Sequence, residues 1–290
     1  MIQYTLRSEA RRSLLKALAT SSGLLLTGQA SLSWAQNAST RFWRLGVVPQ
    51  LTPLETTQRW APVVQEINQA GVPCELAVFP SIALFETAFL RGEVDFGFMN
   101  PYHMVMARRT HRYEPLLRDR RPLEGVLLVK EDSPIDRLEQ LGGARISFPS
   151  PNAFAASLYI RSVLERQFKV AFQAHYASTH RNALRQVLAG DSAAAGVVKT
   201  TLEQEHLEVR NQLRVIYTTP ALAPHPLAAH PRVPLAVRTA LIETLVNMAQ
   251  KPATQPLMAG IQMPNPVRAD YIAEYAPLER LDIEKFIVTE

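Results

Sequence analysis

The sequence predicts an α/β protein of two lobes, joined by a hinge that the chain crosses twice and arranged around a central cleft. Short apolar segments rich in β-branched residues alternate with longer segments of helical periodicity, which is the pattern of βαβ units. A chain of 290 residues is also long enough to build two lobes with separate cores. We therefore expect mostly parallel sheets that carry helices on both faces.

The individual elements follow from the spacing of apolar residues. Short β-branched runs indicate strands at 44–48, 75–79, 94–99, 125–129, 144–148, 197–198 and 213–218. Stretches with one apolar helical face indicate helices at 55–70, 82–90, 153–165 and 235–249, and a shorter helix that closes at 186–188. In the first of these helices Trp60 falls on the apolar face, so we expect it to pack in the core.

The Pro- and His-rich stretch 219–234 interrupts this alternation, and we expect it to carry the chain from one lobe back to the other. The predicted first lobe comprises residues 41–124 and 216–290, and the predicted second lobe comprises residues 125–215. Two crossings between the lobes predict a hinge beside the cleft.

The first 35 residues have the pattern of an export signal. A basic start is followed by an apolar stretch at 14–26 and by Ser33-Trp34-Ala35, which predicts cleavage after about Ala35. The Arg11-Arg12 pair resembles the twin-arginine type of signal. A retained membrane anchor is disfavoured, because the apolar stretch at 14–26 is shorter than the roughly 20 residues that a membrane span needs. We expect an exported protein that meets the membrane only through a partner.

Composition excludes several classes of protein. One cysteine in the chain leaves no internal disulfide framework and no zinc site built from cysteines. The formal net charge is +5, but four basic residues against one acidic residue in the predicted signal account for +3 of it. The remaining chain is only weakly basic, so we expect no nucleic-acid partner.

Common catalytic signatures are absent from the sequence. It contains no nucleophile elbow, no phosphate loop, no dinucleotide fingerprint and no H-E-x-x-H, and its seven histidines are scattered. These observations favour a binding protein over an enzyme. We expect neither a metal nor a cofactor.

A strand followed by a short polar turn and a helix start recurs along the chain. In open α/β sheets such turns lie at the carboxyl ends of the strands, where ligands bind. Each turn delivers unpaired backbone N–H groups with a partial positive charge, which favours an anion. The four turns are Pro49–Glu55, Asn100–His103, Ser150–Ala153 and Ser178–Asn182.

Polar residues at these turns also serve as ordinary helix caps. For Thr52 and Glu55, whose spacing is that of a capping box, the structural role is the favoured interpretation. For Asn100, Tyr102 and His103 the ligand-binding role is favoured, since all three directly follow an apolar strand.

Three further features carry weaker predictions. Both roles remain open for Ser178 and His180. Cys74, at the start of a strand, is predicted to be a buried and inert thiol, with capture of a soft ligand as the alternative. The basic residues between 108 and 121 are predicted to form a solvated face.

One segment is distinctive: Asp95-Phe96-Gly97-Phe98-Met99 followed by Asn100-Pro101-Tyr102-His103. Further segments are Gly46–Pro49, Phe148–Ser157, Leu213–Thr219 and Pro224–Pro234, which together extend over nearly the whole chain after the predicted signal. In these segments the sequence resembles the phosphate/phosphite/phosphonate-type substrate-binding proteins of ABC transporters, and the Asn-Pro-Tyr-His segment is the most specific part of the likeness. The resemblance implies a type II periplasmic-binding-protein fold, in which two α/β lobes close on a ligand.

The resemblance also implies a function and a set of contacts. A monomeric, non-enzymatic periplasmic protein would capture a small oxyanion and deliver it to an ABC permease. The implied ligand-binding residues are Pro49, Gln50, Asn100, Tyr102, His103, Ser150, Asn152, Ala153, Ser178, His180 and His225.

Two departures from the family leave the ligand open. Phosphonate binders of this kind place carboxylates in the cleft, whereas residues 190–197 are mostly small here, and residues 178–182 lack the family's Ser-His-Asp pattern. Some relatives sense other oxyanions, including arsenite, and signal to the ectodomain of a membrane histidine kinase. A third alternative, from another class, is a cofactor-biosynthesis enzyme on the same fold.

Overall fold

The computed structural model describes residues 41–281 and 283–287, and the predicted export signal lies outside these residues. The strands form two sheets, one of six strands and one of five, and each sheet is covered by helices. We call the six-stranded sheet with its helices the first lobe, and the five-stranded sheet with its helices the second lobe.

The first lobe takes its strands from both halves of the chain. They are β1 (Trp43–Val47), β2 (Cys74–Val78), β3 (Phe96–Phe98), β4 (Glu114–Asp119), β10 (Pro226–Ala229) and β11 (Pro266–Arg268). The helices are α1 (Pro53–Gln69), α2 (Ile82–Leu90), α3 (Pro101–His111), α8 (Leu235–Gln250) and α9 (Gln255–Gly260). One large core joins these elements and includes Trp60, as the sequence predicts.

The second lobe is built from the middle of the chain. Its strands are β5 (Gly125–Lys130), β6 (Arg145–Phe148), β7 (Gln173–Tyr176), β8 (Ala194–Val198) and β9 (Leu213–Thr218). A continuous helical segment, α4, comprises a π turn (Phe154–Leu158), an α turn (Tyr159–Ser162) and a second π turn (Val163–Gln167). The remaining helices are a 3₁₀ turn (Leu138–Leu141), α5 (His180–Ala189), α6 (Lys199–Glu203) and α7 (Leu207–Arg210).

Alternating side chains of β5 explain why this lobe has a core on each face of its sheet. Leu127 and Val129 belong to one apolar cluster, whereas Val126 and Leu128 belong to another. Successive side chains of a strand point to opposite faces. A strand that is apolar throughout therefore needs helices on both sides, as the sequence predicts.

The prediction of mostly parallel sheets is wrong. β1 runs parallel to β2 and β3, and β6 runs parallel to β7 and β8. However, β10 runs antiparallel to β3 and β4, β11 to β4, and β5 to β8 and β9. β5 and β10 directly follow a crossing between the lobes, so they begin at the edge where the parallel strands end.

Two adjacent crossings form the hinge. Leu123 and Leu222 exchange backbone hydrogen bonds of 2.8 and 3.0 Å. Next to them, Gly125 N–H donates to Thr219 Oγ1 at 2.9 Å, and Thr219 N–H donates to the Gly125 carbonyl at 2.9 Å. The two-crossing hinge is thus confirmed. The lobe boundaries at residues 124 and 215 stay a prediction, and β9 continues to Thr218.

Short helical turns end the described chain: Tyr271–Tyr275, Ala276–Arg280 and Ile283–Phe286. Tyr275 is fully buried in the first-lobe core, and Phe286 is 9% exposed. In addition, Arg161 of the second lobe donates to the Phe286 carbonyl at 2.6 Å. The segment therefore braces the first lobe and also contacts the second.

Two further predictions from the sequence concern the thiol of Cys74 and the possibility of a membrane-spanning helix. Cys74 is 2% exposed, and burial raises the pKa of its thiol to about 12, so it is the inert thiol that the sequence predicts. Within the described residues, no helix combines the length and apolarity that a membrane span requires.

Candidate ligand-binding site

A cavity of about 370 Å³ lies between the two lobes, beside the hinge. The first lobe lines it with residues after β1, β2 and β3, and the second lobe with residues after β6 and β7 and at the end of β8. These are carboxyl ends of parallel strands, the usual ligand position in α/β sheets. Leu123 and His225 of the hinge region complete the wall.

Helix starts of the first lobe reach the cavity at two places. Ser81, Ile82 and Ala83 line it at the start of α2, and Asn100 lines it at the start of α3. Ser81 Oγ accepts from Leu84 N–H at 3.3 Å, so the side chain caps its own helix. Because the earlier N–H groups of a helix have no acceptor within it, those of Ile82 and Ala83 remain available at the cavity wall.

The start of α4 is uncapped. Ala153 precedes it and has no side chain that could accept a hydrogen bond, while its carbonyl accepts from Ser157 and Leu158. The N–H groups of Phe154, Ala155 and Ala156 therefore precede the first hydrogen bond of the helix. All three residues line the cavity. This is the largest group of uncommitted donors in the described wall.

Two glycines explain how α4 comes so close to its sheet. A Cβ on Gly125 would lie 2.1 Å from the Ala155 carbonyl oxygen, and a Cβ on Gly196 would lie 2.3 Å from the Ala156 carbonyl oxygen. Only glycine permits such an approach. The small residues of β8, where the family resemblance suggests a carboxylate, are thus the surface on which α4 rests.

The start of α5 contributes Ser178 and His180 to the wall. Ser178 has a φ of 69°, a left-handed conformation that is uncommon for a residue with a Cβ. Thr179 caps α5 by accepting from Asn182 N–H at 3.1 Å. Strained backbone of this kind is concentrated at ligand-binding sites.

Both histidines of the wall are neutral. Burial lowers the pKa of His180 to about 4, and burial, with smaller contributions from His103 and His180, lowers that of His225 to about 3. His180 Nδ1 accepts a long bond of 3.4 Å from Val198 N–H, which assigns its proton to Nε2. Nε2–H of His180 is therefore a neutral donor.

Gln50 and His225 form a polar pair at the first-lobe side of the wall. Gln50 Nε2 and His225 Nε2 are 3.0 Å apart, so the amide donates to the ring nitrogen. The His225 ring stacks on Phe98 with centroids 5.6 Å apart and an interplanar angle of 24°. This packing fixes the ring and, through it, the Gln50 amide.

Ser150 carries an orphaned hydroxyl next to the cavity. The residue lines the wall, and its Oγ is buried without a hydrogen-bond partner among the described residues. Buried hydroxyl groups are normally paired. An acceptor inside the cavity would supply the missing partner.

Tyr102 and His103 do not line the cavity. Tyr102 is 3% exposed and packs in the first-lobe core, and His103 is fully buried. His103 Nε2–H donates to Glu86 Oε1 at 2.9 Å. The first turn of α3 directs both side chains behind the wall, so the interpretation of these two residues as direct contacts is not supported by their position.

A buried polar network joins the lobes behind this wall. Asn152 of the second lobe donates through Nδ2 to both carboxylate oxygens of Glu86, at 3.3 and 3.2 Å. In return, Asn100 Nδ2 donates to the Asn152 carbonyl at 3.2 Å. Glu86 and Asn152 are 9% and 3% exposed. These bonds hold the two lobes together at the cavity edge.

The structure brings nine of the predicted site residues to one cavity: Pro49, Gln50, Asn100, Ser150, Asn152, Ala153, Ser178, His180 and His225. Sequence reasoning missed the start of α2 and the Phe154–Ala156 donors. The signal for α2 was present, because Ser81 follows a strand and begins an apolar helix. Thr52 forms the predicted capping box with Glu55, which confirms its structural role.

The predicted basic face lies outside the cavity wall, and several of its arginines are paired with acids. Arg108 contacts Glu114 at 3.8 Å, Arg109 contacts Glu279 at 3.6 Å, and Arg118 forms an ion pair with Glu274. Among the residues that the structure describes, no group of three or more His, Cys, Asp or Glu side chains could hold a metal ion.

Two α/β lobes, a double-crossing hinge and an interlobe cavity walled by helix starts define a hinged solute-binding protein. The family model of the periplasmic phosphonate-binding proteins of ABC transporters matches residues 45–275. The chain belongs to this family, whose members capture a solute in the periplasm and deliver it to an ABC permease. The family is one of transport proteins and not of enzymes. No curated protein matches the sequence.

Solved structures share the fold at low identity. PhnD1 from Prochlorococcus marinus, in complex with methylphosphonate, has a TM-score of 0.72 and 15% identity over 84% of this chain and 98% of its own. A binding protein of an ABC phosphonate transporter from Pseudomonas aeruginosa has a TM-score of 0.70 and 16% identity over 84% of this chain and 87% of its own. They support the type II periplasmic-binding-protein fold that the sequence predicts.

Proposed function

We propose that the interlobe cavity captures a small oxyanion of the phosphonate, phosphite or phosphate type. The observation that carries the proposal is the uncapped start of α4, which presents the N–H groups of Phe154, Ala155 and Ala156 to the cavity. Donors of this kind, together with the helix dipole, favour an anion. The methylphosphonate held by a protein of the same fold is a ligand of this class.

Neutral side chains complete the proposed contact set. The Ser150 hydroxyl and the Nε2–H of His180 are donors, and the Gln50 amide is held in place by His225. Hydrogen bonds to an anionic oxygen are stronger than those between neutral groups. Pro49, Asn100, Asn152, Ala153 and Ser178 would shape the wall around these donors.

Lobe closure would exclude water from the bound anion. The proposed moving bodies are residues 41–124 with 216–290 and residues 125–215, which rotate about the paired crossings at Leu123 and Leu222. In a dry site each N–H···O bond gains strength, because the local dielectric constant falls. Hydrogen bonding and closure are sufficient for capture of the anion, and no chemical reaction of the wall residues is needed.

We also propose that the mature protein begins after about Ala35, acts as a monomer in the periplasm and serves a cognate permease. The signal pattern of the first 35 residues and the family membership support this role. Intact mass and light scattering of the exported protein would test the cleavage and the monomer together.

Thermal unfolding tests the ligand class. The protein is freed of bound ligand by unfolding, dialysis and refolding, and is then melted with phosphate, phosphite, methylphosphonate, sulfate or arsenite. A ligand at about one hundred times its Kd adds about 2.7 kcal/mol, which raises Tm by about 5–10 °C for a protein of this size. Absence of a shift with every anion would contradict the proposal.

A further inference from the structure

The cavity wall contains no charged side chain among the residues that the structure describes. The lining side chains are aliphatic, aromatic, hydroxyl, amide or neutral imidazole. A cationic group of a ligand would have to leave water without meeting a counter-charge, and an uncompensated buried charge is strongly disfavoured. The wall therefore offers no counter-charge to a cationic group of a ligand.

The nearby carboxylate of Glu86 does not supply a counter-charge for a cationic ligand group. Glu86 already accepts hydrogen bonds from Asn152 and His103, and it is not among the residues that line the cavity. Its charge is used by the network that joins the lobes. A ligand ammonium group would therefore compete with the hydrogen bonds that join the two lobes.

Room for an apolar substituent is also present. A water molecule occupies about 30 Å³ in the liquid, so 370 Å³ corresponds to about a dozen waters, and a bare tetrahedral oxyanion would leave much of that space unfilled. The remaining wall includes Leu51, Ile82, Leu123, Phe154 and Val198. Burial of an alkyl group against such side chains is favourable.

From these observations we infer that the ligand is an oxyanion with a compact, uncharged alkyl substituent, such as an alkylphosphonate, and that the uncharged wall excludes zwitterionic aminophosphonates. The inference rests on the proposed function, because it presupposes that the same cavity takes an oxyanion. It narrows that function from a broad class of anions to one kind of substituent.

Two isosteric ligands test the inference. Propylphosphonate and 2-aminoethylphosphonate differ in having a methyl or an ammonium group at one end, and their Kd values are measured by calorimetry at one pH with phosphate as reference. We expect propylphosphonate to bind at least about tenfold more tightly than its amino isostere and more tightly than phosphate. Equal affinity, or a preference for the amine, would overturn the inference while the proposed function stands. Binding of none of the anions would overturn the proposed function as well.

A matched pair of variants on α2 tests whether the uncharged wall causes the preference for propylphosphonate over 2-aminoethylphosphonate. Ile82 lines the cavity, whereas Leu84, two residues further along, is 52% exposed. We expect Ile82→Glu to narrow the preference for propylphosphonate severalfold by supplying a counter-charge, and Leu84→Glu to leave it unchanged. Leu51→Asp provides a second carboxylate in the wall if Ile82→Glu fails to fold. An unchanged preference in a folded cavity variant would overturn the inference.

Discussion

The start of α4 in the second lobe differs from the starts of α2 and α3 in the first lobe, although all three face the cavity. In the first lobe, Ser81 and Asn100 cap α2 and α3 with their own side chains, each taking up one backbone N–H. In the second lobe, α4 begins at Ala153 without a side-chain cap and leaves three N–H groups in the cavity wall. An uncapped start offers more backbone donors than a capped one, and for this reason we propose the start of α4 as the main contact of the anion.

The largest effect on ligand affinity is expected from a side chain placed between β8 and the uncapped start of α4. Gly196→Ala would place a Cβ 2.3 Å from the Ala156 carbonyl oxygen and 2.7 Å from the Phe148 ring. We expect α4 to be displaced, with a loss of about 1–3 kcal/mol in unfolding free energy and a loss of oxyanion affinity of at least about one hundredfold. Denaturant unfolding and calorimetry measure the two effects.

Gly260→Ala is the control for that variant, since no atom beyond its chain neighbours and its own helix backbone lies within 4 Å of the added Cβ. We expect it to bind the anion as the unmodified protein does. Full affinity in a folded Gly196→Ala protein would show that the position of the α4 start does not govern binding.

The second-largest loss of ligand affinity is expected for Ser150→Ala. Its hydroxyl makes no hydrogen bond among the described residues, so its removal should leave the stability of the ligand-free protein nearly unchanged. In the complex we expect a loss of about 1.5–3 kcal/mol, or roughly ten- to a hundredfold in Kd, because a bond to a charged oxygen is lost. Ser192 also has an unpartnered buried hydroxyl but does not line the cavity, so Ser192→Ala is the matched control. Equal affinities of the two variants would remove Ser150 from the contact set.

A substitution in the hydrogen-bond network of Glu86, Asn152 and His103 tests whether this network couples the two lobes. Glu86→Gln replaces the acceptor of Asn152 and His103 by a neutral amide, which weakens bonds between the lobes without touching the cavity wall. We expect affinity to fall about tenfold through a less favourable closing equilibrium. Small-angle scattering of the ligand-free variant should show a larger radius of gyration than that of the exposed control Glu75→Gln. Unchanged scattering and affinity would show that closure does not depend on this network.

The smallest effect is expected at the capping box of α1. Thr52→Ala removes the two bonds that the Thr52 hydroxyl makes with Glu55, at 2.8 and 3.3 Å, and should cost about 1 kcal/mol of stability, or about 2–4 °C in Tm. Ligand affinity should be unchanged, because neither residue lines the cavity. A changed affinity would mean that a capped start also takes part in binding.

The sequence revealed much of this arrangement through local chemistry. The strands and helices that it predicted all occur, and Leu213–Thr218 and Ile82–Leu90 have the predicted bounds. Polar turns after strands pointed to eight residues that share one cavity, and the family resemblance added His225. These features depend on neighbours in the chain, so a local pattern is sufficient to predict them.

Features that depend on distant residues were missed or mispredicted. β10 lies inside the Pro- and His-rich stretch, where its four residues are buried by pairing with β3 and β4 and not by any periodicity of their own. Tyr102 and His103 lie behind the wall because the packing of α3 sets its rotation. The sequence predicts the helix start at Ala153, but only the structure shows that no side chain caps it and that three donors after it line the cavity.

We propose that backbone N–H groups, and not charged side chains, hold the ligand. A crystal structure of the protein with a bound alkylphosphonate would show which groups contact the anion. We expect phosphonate oxygens within about 2.7–3.1 Å of the backbone nitrogens of Phe154, Ala155 or Ala156, with the Ser150 hydroxyl also in contact. An anion held instead by an arginine or lysine side chain, or seated away from the start of α4, would contradict it.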